Sequence, residues 1–201
     1  MQQTVRRTSR TILMALGAVA LAGAPRLVTA ERPPSPVEVV PAVDLERYAG
    51  RWYEVARLPN RFQDDCACCV TATYTLREDG RLTVVNACRT ADGGSKSVEG
   101  EARLASKDGP TSKLKVRFAP RFLSFLGFVW GDYWILDLAG DYSHALVGSP
   151  DCKYLWVLSR KITMEEEAYA RILEKAARMG FDVRRVQRTV PEAAAAPGEV
   201  I

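Results

Sequence analysis

Five cysteines and a single histidine are the residues of this chain whose chemistry depends most on their spacing. Cys66, Cys68 and Cys69 crowd together, Cys88 follows, and Cys152 stands far from the rest. In an oxidising compartment such thiols form disulfides by default. Five thiols permit two bridges and leave one over, so a reactive thiol, or a soft-metal site built on Cys66, Cys68 and Cys69, is the rival chemistry. His144 is alone, which defeats a histidine-rich metal site and leaves any catalytic dyad one candidate base. A structural or surface role suits it better. The chain has no Gly-rich phosphate loop and no nucleophile elbow, and neither a metal site nor a cofactor is expected.

The compartment follows from the first thirty residues. Arg6, Arg7 and Arg10 precede an apolar run from Thr11 to Ala24, and Val28-Thr29-Ala30 has the small-x-small pattern of a cleavage site. The run is shorter than the roughly 20 residues that a membrane span needs, so residues 1–30 read as a secretory signal peptide with a periplasmic destination. Leu21-Ala22-Gly23-Ala24 would be a lipoprotein signal with cysteine at position 24, but that position is alanine. The chain carries 28 Lys and Arg against 24 Asp and Glu. Four of the basic residues, Arg6, Arg7, Arg10 and Arg26, lie in residues 1–30, so the remainder is balanced and has no electrostatic footprint for nucleic acid.

Residues 31–43, with Pro33, Pro34, Pro36 and Pro41, read as a stiff leader, and the Ala-rich stretch 191–201 as a disordered tail. Between them the spacing of β-branched and aromatic runs against Gly, Asp, Asn and Pro turns predicts strands near 51–57, 70–76, 81–88, 97–104, 113–118, 130–137, 142–148 and 154–160. Eight strands in a row without an intervening helix predict an all-β, antiparallel up-and-down barrel, which removes its edges by closing. Asp79-Gly80 marks a tight hairpin that makes Glu78 face Arg81 and Thr71 face Cys88. A helix follows: Thr163-x-x-Glu166 has capping-box spacing, Gly180 can stop it, and Tyr169, Ile172, Leu173, Ala176 and Met179 form one apolar stripe, so it packs outside the barrel. A short strand near 182–188 joins the sheet beside the first strand.

Gly50-Arg51-Trp52-Tyr53, Trp134-Ile135-Leu136-Asp137 with Tyr142 to Val147, and Tyr154 to Arg160 together resemble the ordered motifs of bacterial lipocalins, of the outer-membrane-lipoprotein and apolipoprotein-D-like type. The resemblance spans residues 44 to 188 and places a lipocalin domain at 44–190. It implies that Gly50 and Trp52 open the first strand, that Arg160 lies across Trp52 as a cation-π lid on the barrel floor, and that the barrel holds a small hydrophobic or lipid ligand. The implied role is a non-catalytic carrier or store of a fatty acid or lysophospholipid in the cell envelope, acting as a monomer or dimer. The rival is a thiol-dependent enzyme on the same barrel, because a few lipocalin relatives are isomerases or epoxide-acting enzymes.

Within such a cup, period-two alternation groups Leu82, Val84 and Asn86 on one face, Leu114, Val116 and Phe118 on another, and Trp130, Trp134 and Leu136 on a third. The expected ligand-binding residues are Val84, Asn86, Val116, Phe118, Arg121, Trp130 and Trp134. The aromatic stretch 117–128 either lies at the mouth, where it gates the pocket or touches a membrane surface with Arg117 or Arg121 meeting an anionic head group, or tucks inward as core. Counting strand reversals puts all five cysteines at the mouth. Cys88 and Cys152 are then expected each to bond to a different member of the Cys66, Cys68 and Cys69 trio, leaving one thiol free.

Overall fold

In a computed structural model of the protein the described residues are 37–119, 123 and 126–191. The chain divides into the units Met1–Arg32 and Pro33–Ile201, and every described residue belongs to the second. The expected export signal at residues 1–30, Arg121 and residues 192–201 lie outside the described residues. A short helix, α1 (Leu45–Tyr48), begins the barrel. Asp44 caps it by accepting from the backbone N–H groups of Glu46 at 2.9 Å and Arg47 at 3.2 Å.

Eight antiparallel strands follow: β1 (Gly50–Arg57), β2 (Cys66–Leu76), β3 (Leu82–Thr90), β4 (Ser95–Leu104), β5 (Lys113–Arg117), β6 (Gly131–Leu138), β7 (His144–Gly148) and β8 (Leu155–Ser159). Each pairs with the next, β8 pairs with β1, and β1 pairs with β2, which closes the barrel. The strand β2 begins earlier than the sequence suggests because the cysteine-rich segment also pairs with β3, Cys66 opposite Thr90 and Cys68 opposite Arg89. The β2–β3 hairpin also corrects the expected register. The Arg77 N–H donates to the Arg81 carbonyl and Gly80 sits at φ +75°, so three residues turn the chain and Thr71 faces Ala87, not Cys88. A glycine with positive φ ending a three-residue loop is the second common hairpin solution, and it shifts the pairing by one residue.

Side chains divide into two clusters. Trp52, Tyr74, Leu82, Val84, Leu114 and Ile135 belong to the inner core. Val55, Leu136, Leu146, Leu155 and Val157 face outward against Tyr169, Ile172, Ala176 and Met179 of the helix α2 (Glu166–Arg178), followed by Phe181. The apolar stripe therefore packs on the outer wall, and Gly180 at φ +94° ends the turn after the helix. The Thr163 capping box does not form. The cap position is Glu165, with no side-chain bond, and the Glu166 carboxylate instead takes the Arg188 guanidinium at 2.8 Å.

A final strand, β9 (Gln187–Arg188), lies beside β1 as expected, but its place has a consequence for the barrel wall. The strands β1 and β2 pair only from Gly50–Tyr74 to Tyr53–Thr71, then diverge. Into that fork β9 inserts: Ala56 pairs with Arg188, Arg57 with Gln187, and Cys69 of β2 donates to the Val190 carbonyl at 3.0 Å. A bulge between Glu54 and Ala56 turns β1 at the same level.

Candidate ligand-binding cup

The closed end is built around Trp52, which is fully buried and donates Nε1–H to the Tyr48 carbonyl at 2.8 Å. The Arg160 guanidinium lies 3.9 Å from the Trp52 ring centroid. It donates to four backbone carbonyls around the α1–β1 corner: Arg51 at 2.9 Å, Arg47 at 2.8 Å, Tyr48 at 3.1 Å and Ala49 at 2.9 Å. Gly50 lies under this guanidinium with φ +96°, and a Cβ there would stand 3.2 Å from Arg160 Nη1. Glycine is thus required both by the left-handed backbone and by the close approach.

Above the floor is a layer that sequence reasoning missed. The Tyr48, Tyr74 and Tyr133 side chains converge from α1, β2 and β6, with O···O distances of 2.8 Å for Tyr48–Tyr133 and 2.7 Å for Tyr74–Tyr133. Burial raises all three hydroxyl pKa values, that of Tyr74 to about 12. Leu82, Val84, Leu114, Ile135 and Val147 fill the remaining space, each with at most 2% of its surface exposed, so the lower half of the barrel is solid.

The upper half is different. Asn86 pairs with Ala72 and Val98, Val116 pairs with Ala102 and Gly131, and these positions are only partly buried. The Phe118 ring lies on Gly100, where a Cβ would come within 2.5 Å of its Cδ1, and Phe118 keeps 40% of its surface exposed. On the opposite wall Trp156 donates to Gln63 Oε1 at 2.9 Å, and Gln63 donates to Glu54 at 2.6 Å. Glu54 also holds Arg57 at 2.8 Å and accepts from Thr189 of the segment after β9. Trp156, Tyr154 and Phe62 form an aromatic ladder to the rim, with centroid separations of 5.9 and 5.6 Å. Outside the wall, a groove of about 400 Å³ lies between Leu58, Arg61, Cys152, Tyr154 and Arg185.

Two of the expected ligand residues are on the wrong side. Trp134 packs with the outer cluster and lies 4.1 Å over Lys113, while Trp130 sits on the outer face between Arg103 at 4.2 Å and Arg117 at 5.2 Å. Trp130, Trp134 and Leu136 do share a face, but it is the outer one; Tyr133 and Ile135 are the inward residues of β6. The signal that would have found this is Asp132, whose charge belongs outside, where it pairs with Lys115 at 2.8 Å. Val84 is inward but packed into the solid half. Asn86, Val116 and Phe118 are the expected residues brought to the open half.

The cysteines bear out one half of the expected arrangement, the bond from Cys88 to a member of the trio, and correct the other half. Cys66 bonds to Cys88, Cys68 bonds to Cys69, and Cys152 is free. Cys152 does lie at the mouth end, but its thiol turns to the outer cluster and meets the Met179 carbonyl at 3.6 Å instead of reaching the trio. Burial, helped by Asp151, pushes this thiol above its ordinary value.

Comparison with known proteins decides the family. The Lipocalin-like domain family matches residues 43–191. The chain belongs to the lipocalins. It is 44% identical over 155 residues to temperature-induced lipocalin-1 of Arabidopsis thaliana, covering 76% of this chain and 82% of that one. Identity to the outer membrane lipoprotein Blc of Escherichia coli K12 is 42% over 172 residues, covering 83% and 92%. Mouse apolipoprotein D is 31% identical over 154 residues, covering 73% and 76%. Among solved structures, insecticyanin from the tobacco hornworm Manduca sexta superposes with a TM-score of 0.62 at 23% identity, over 80% of this lipocalin and 88% of that chain, a likeness of fold. The eight-stranded barrel with one added strand and a C-terminal helix is thus the lipocalin architecture.

Proposed function

We propose that this lipocalin binds a small hydrophobic ligand, a fatty acid or lysophospholipid, in the upper half of its barrel and carries or stores it in the cell envelope. The observation that carries the reading is the contrast between the two halves. From Trp52 up to Val84 the inner-core side chains keep at most 9% of their surface exposed, whereas Asn86, Val98, Val116, Phe118 and Trp156 stay partly open above them. Apolar side chains left open on a concave face are what a hydrophobic ligand covers. Phe62 and Phe128, 56% and 84% exposed at the rim, suit contact with a membrane surface during loading. The name of the Blc relatives, outer membrane lipoprotein, supports an envelope location. Residues 1–30 supply the export signal in this reading, and Ala24 leaves the protein soluble in the periplasm.

The thiol-enzyme alternative finds less support. Cys152 is the free thiol among the described residues, and its raised pKa disfavours the thiolate that a nucleophile needs. The test is lipid mass spectrometry on protein taken from the periplasm of a Gram-negative host without detergent. A fatty acid or lysophospholipid in near-equal amount with the protein is expected. Lipid-free protein that also ignores added fatty acid would overturn the proposal.

A further inference from the structure

The tyrosine layer carries more hydrogen-bond donors than it can use. Tyr48, Tyr74 and Tyr133 each supply one O–H proton, and the three oxygens make two contacts, both through Tyr133. Whichever way those bonds point, two protons are used and the third has no acceptor among the described residues. A buried donor without a partner is unfavourable, so the arrangement that lets it meet something from outside the fold is preferred. Tyr48 is sealed beneath, at 0% exposure against Trp52, whereas Tyr74 and Tyr133 retain 4% and 9%. If Tyr48 donates to Tyr133, the surplus proton falls on Tyr74 or Tyr133, the two members of the layer that keep some exposed surface.

We propose that Tyr74 and Tyr133 form a hydrogen-bond donor site at the bottom of the cup for an uncharged oxygen carried on the inner part of the bound lipid. The chemical class is an acyl chain with a keto or hydroxyl group near its methyl end, entering tail first with its charged end left in water at the mouth. This rests on the cup being the ligand site. The oxygen is uncharged because nothing cationic is available at that depth. Arg160 lies under Trp52, where four carbonyls and the ring occupy it, and Arg57 is held by Glu54 higher up. The neighbours of the layer are otherwise Leu82, Val84, Leu114, Ile135 and Val147. A carboxylate there would lose its hydration without a counter-charge, whereas a ketone or alcohol needs only the donor. Burial keeps the tyrosine hydroxyls protonated through the physiological range, so the donor is always present.

The test compares two probes on the delipidated full-length protein: a fatty acid with a keto group next to its methyl terminus, and the unsubstituted fatty acid of equal length. Each displaces the neutral fluorophore N-phenyl-1-naphthylamine, and the ketone stretch of the bound keto acid is recorded by infrared. In the wild type the keto acid should bind about two- to twelvefold tighter than its partner, the range for one net hydrogen bond. Its ketone band should lie below the position seen in hydrocarbon solution. Tyr74→Phe/Tyr133→Phe should lose both the preference and the band shift. A wild-type band at the hydrocarbon position, or equal affinities, would overturn the donor site while leaving the carrier reading standing. That readout needs no variant, so it decides even if the double substitution fails to fold. Failure of the wild type to bind the fluorophore or either acid would overturn the carrier reading and the donor site with it.

Discussion

At the scale of single residues, the closed end shows how a few side chains hold a corner. Trp52 supplies buried area, and Arg160 adds a cation-π contact and four hydrogen bonds to backbone carbonyls of the α1–β1 corner. Trp52→Ala is expected to cost about 3 to 5 kcal/mol, the range for deleting a large buried aromatic. Arg160→Ala should cost less, and the two should couple in a double-mutant cycle measured by chemical denaturation; strictly additive losses would show that the ring and the guanidinium do not act together. The tyrosine layer gives a pH dependence. Its hydroxyls are protonated in the folded state and ionise near pH 10 once unfolded. Stability is therefore undiminished below about pH 10 and falls as pH rises toward 12, with Tyr74 alone losing on the order of 3 kcal/mol across that interval. Absorbance titration should show the three buried tyrosines ionising only together with loss of the circular dichroism of the sheet. Ionisation of all tyrosines near pH 10 with the fold intact would contradict that burial.

At the scale of elements, the fork where β1 and β2 part is filled by a short strand from beyond the helix. The upper part of β1 leaves β2, and β9 with the residues after it bridges the gap through Ala56–Arg188 pairing, the Cys69 N–H to Val190 contact and the Thr189 N–H to Val55 carbonyl at 2.9 Å. Glu54 is at the hinge of this fork, with its side chain 3% exposed and bonded to Arg57, Gln63 and Thr189. Glu54→Ala leaves the Arg57 guanidinium, itself only 13% exposed, without its counter-charge, and a loss of about 3 to 5 kcal/mol is expected. Hydrogen exchange should at the same time speed up at the Thr189 amide. Unchanged exchange there would mean that the segment after β9 docks independently of Glu54. The helix was legible as an apolar stripe, but the fork was not: no local pattern announces that two strands paired at one end separate at the other.

For the whole molecule, the bridges tie one end of the cup. Cys66–Cys88 joins the start of β2 to the end of β3 and closes a loop with a sequence separation of 22, worth about 3 kcal/mol in chain-entropy terms. Cys68–Cys69 lies where β2 leaves β1, and Cys152 packs on the far side of the wall. Non-reducing peptide mapping of periplasmic protein should recover those two bonds, and thiol titration should count one reactive group on unfolding, at Cys152. A peptide linking Cys152 to Cys66, Cys68 or Cys69 would refute this arrangement and restore a bridge across the rim.

The sequence by itself determined the class of fold, the count and order of strands, the helix on the outside and the family, because these rest on local periodicity, turn residues and motif order. Gly50, Trp52 and Arg160 were legible for the same reason: they belong to short motifs in a set order. Period-two patterning separates Tyr133 from Trp134 on β6 without saying which side is the cup; the charge of Asp132 was the one local sign of the outer face, and the tertiary structure settled it. The tertiary structure also decided the partners of the cysteines. A one-residue change in hairpin register and two irregularities between Cys66 and Thr71 reset which thiols meet. The tyrosine layer was beyond any local reading, because Tyr48, Tyr74 and Tyr133 are separated by long stretches of chain and come together only when the barrel closes.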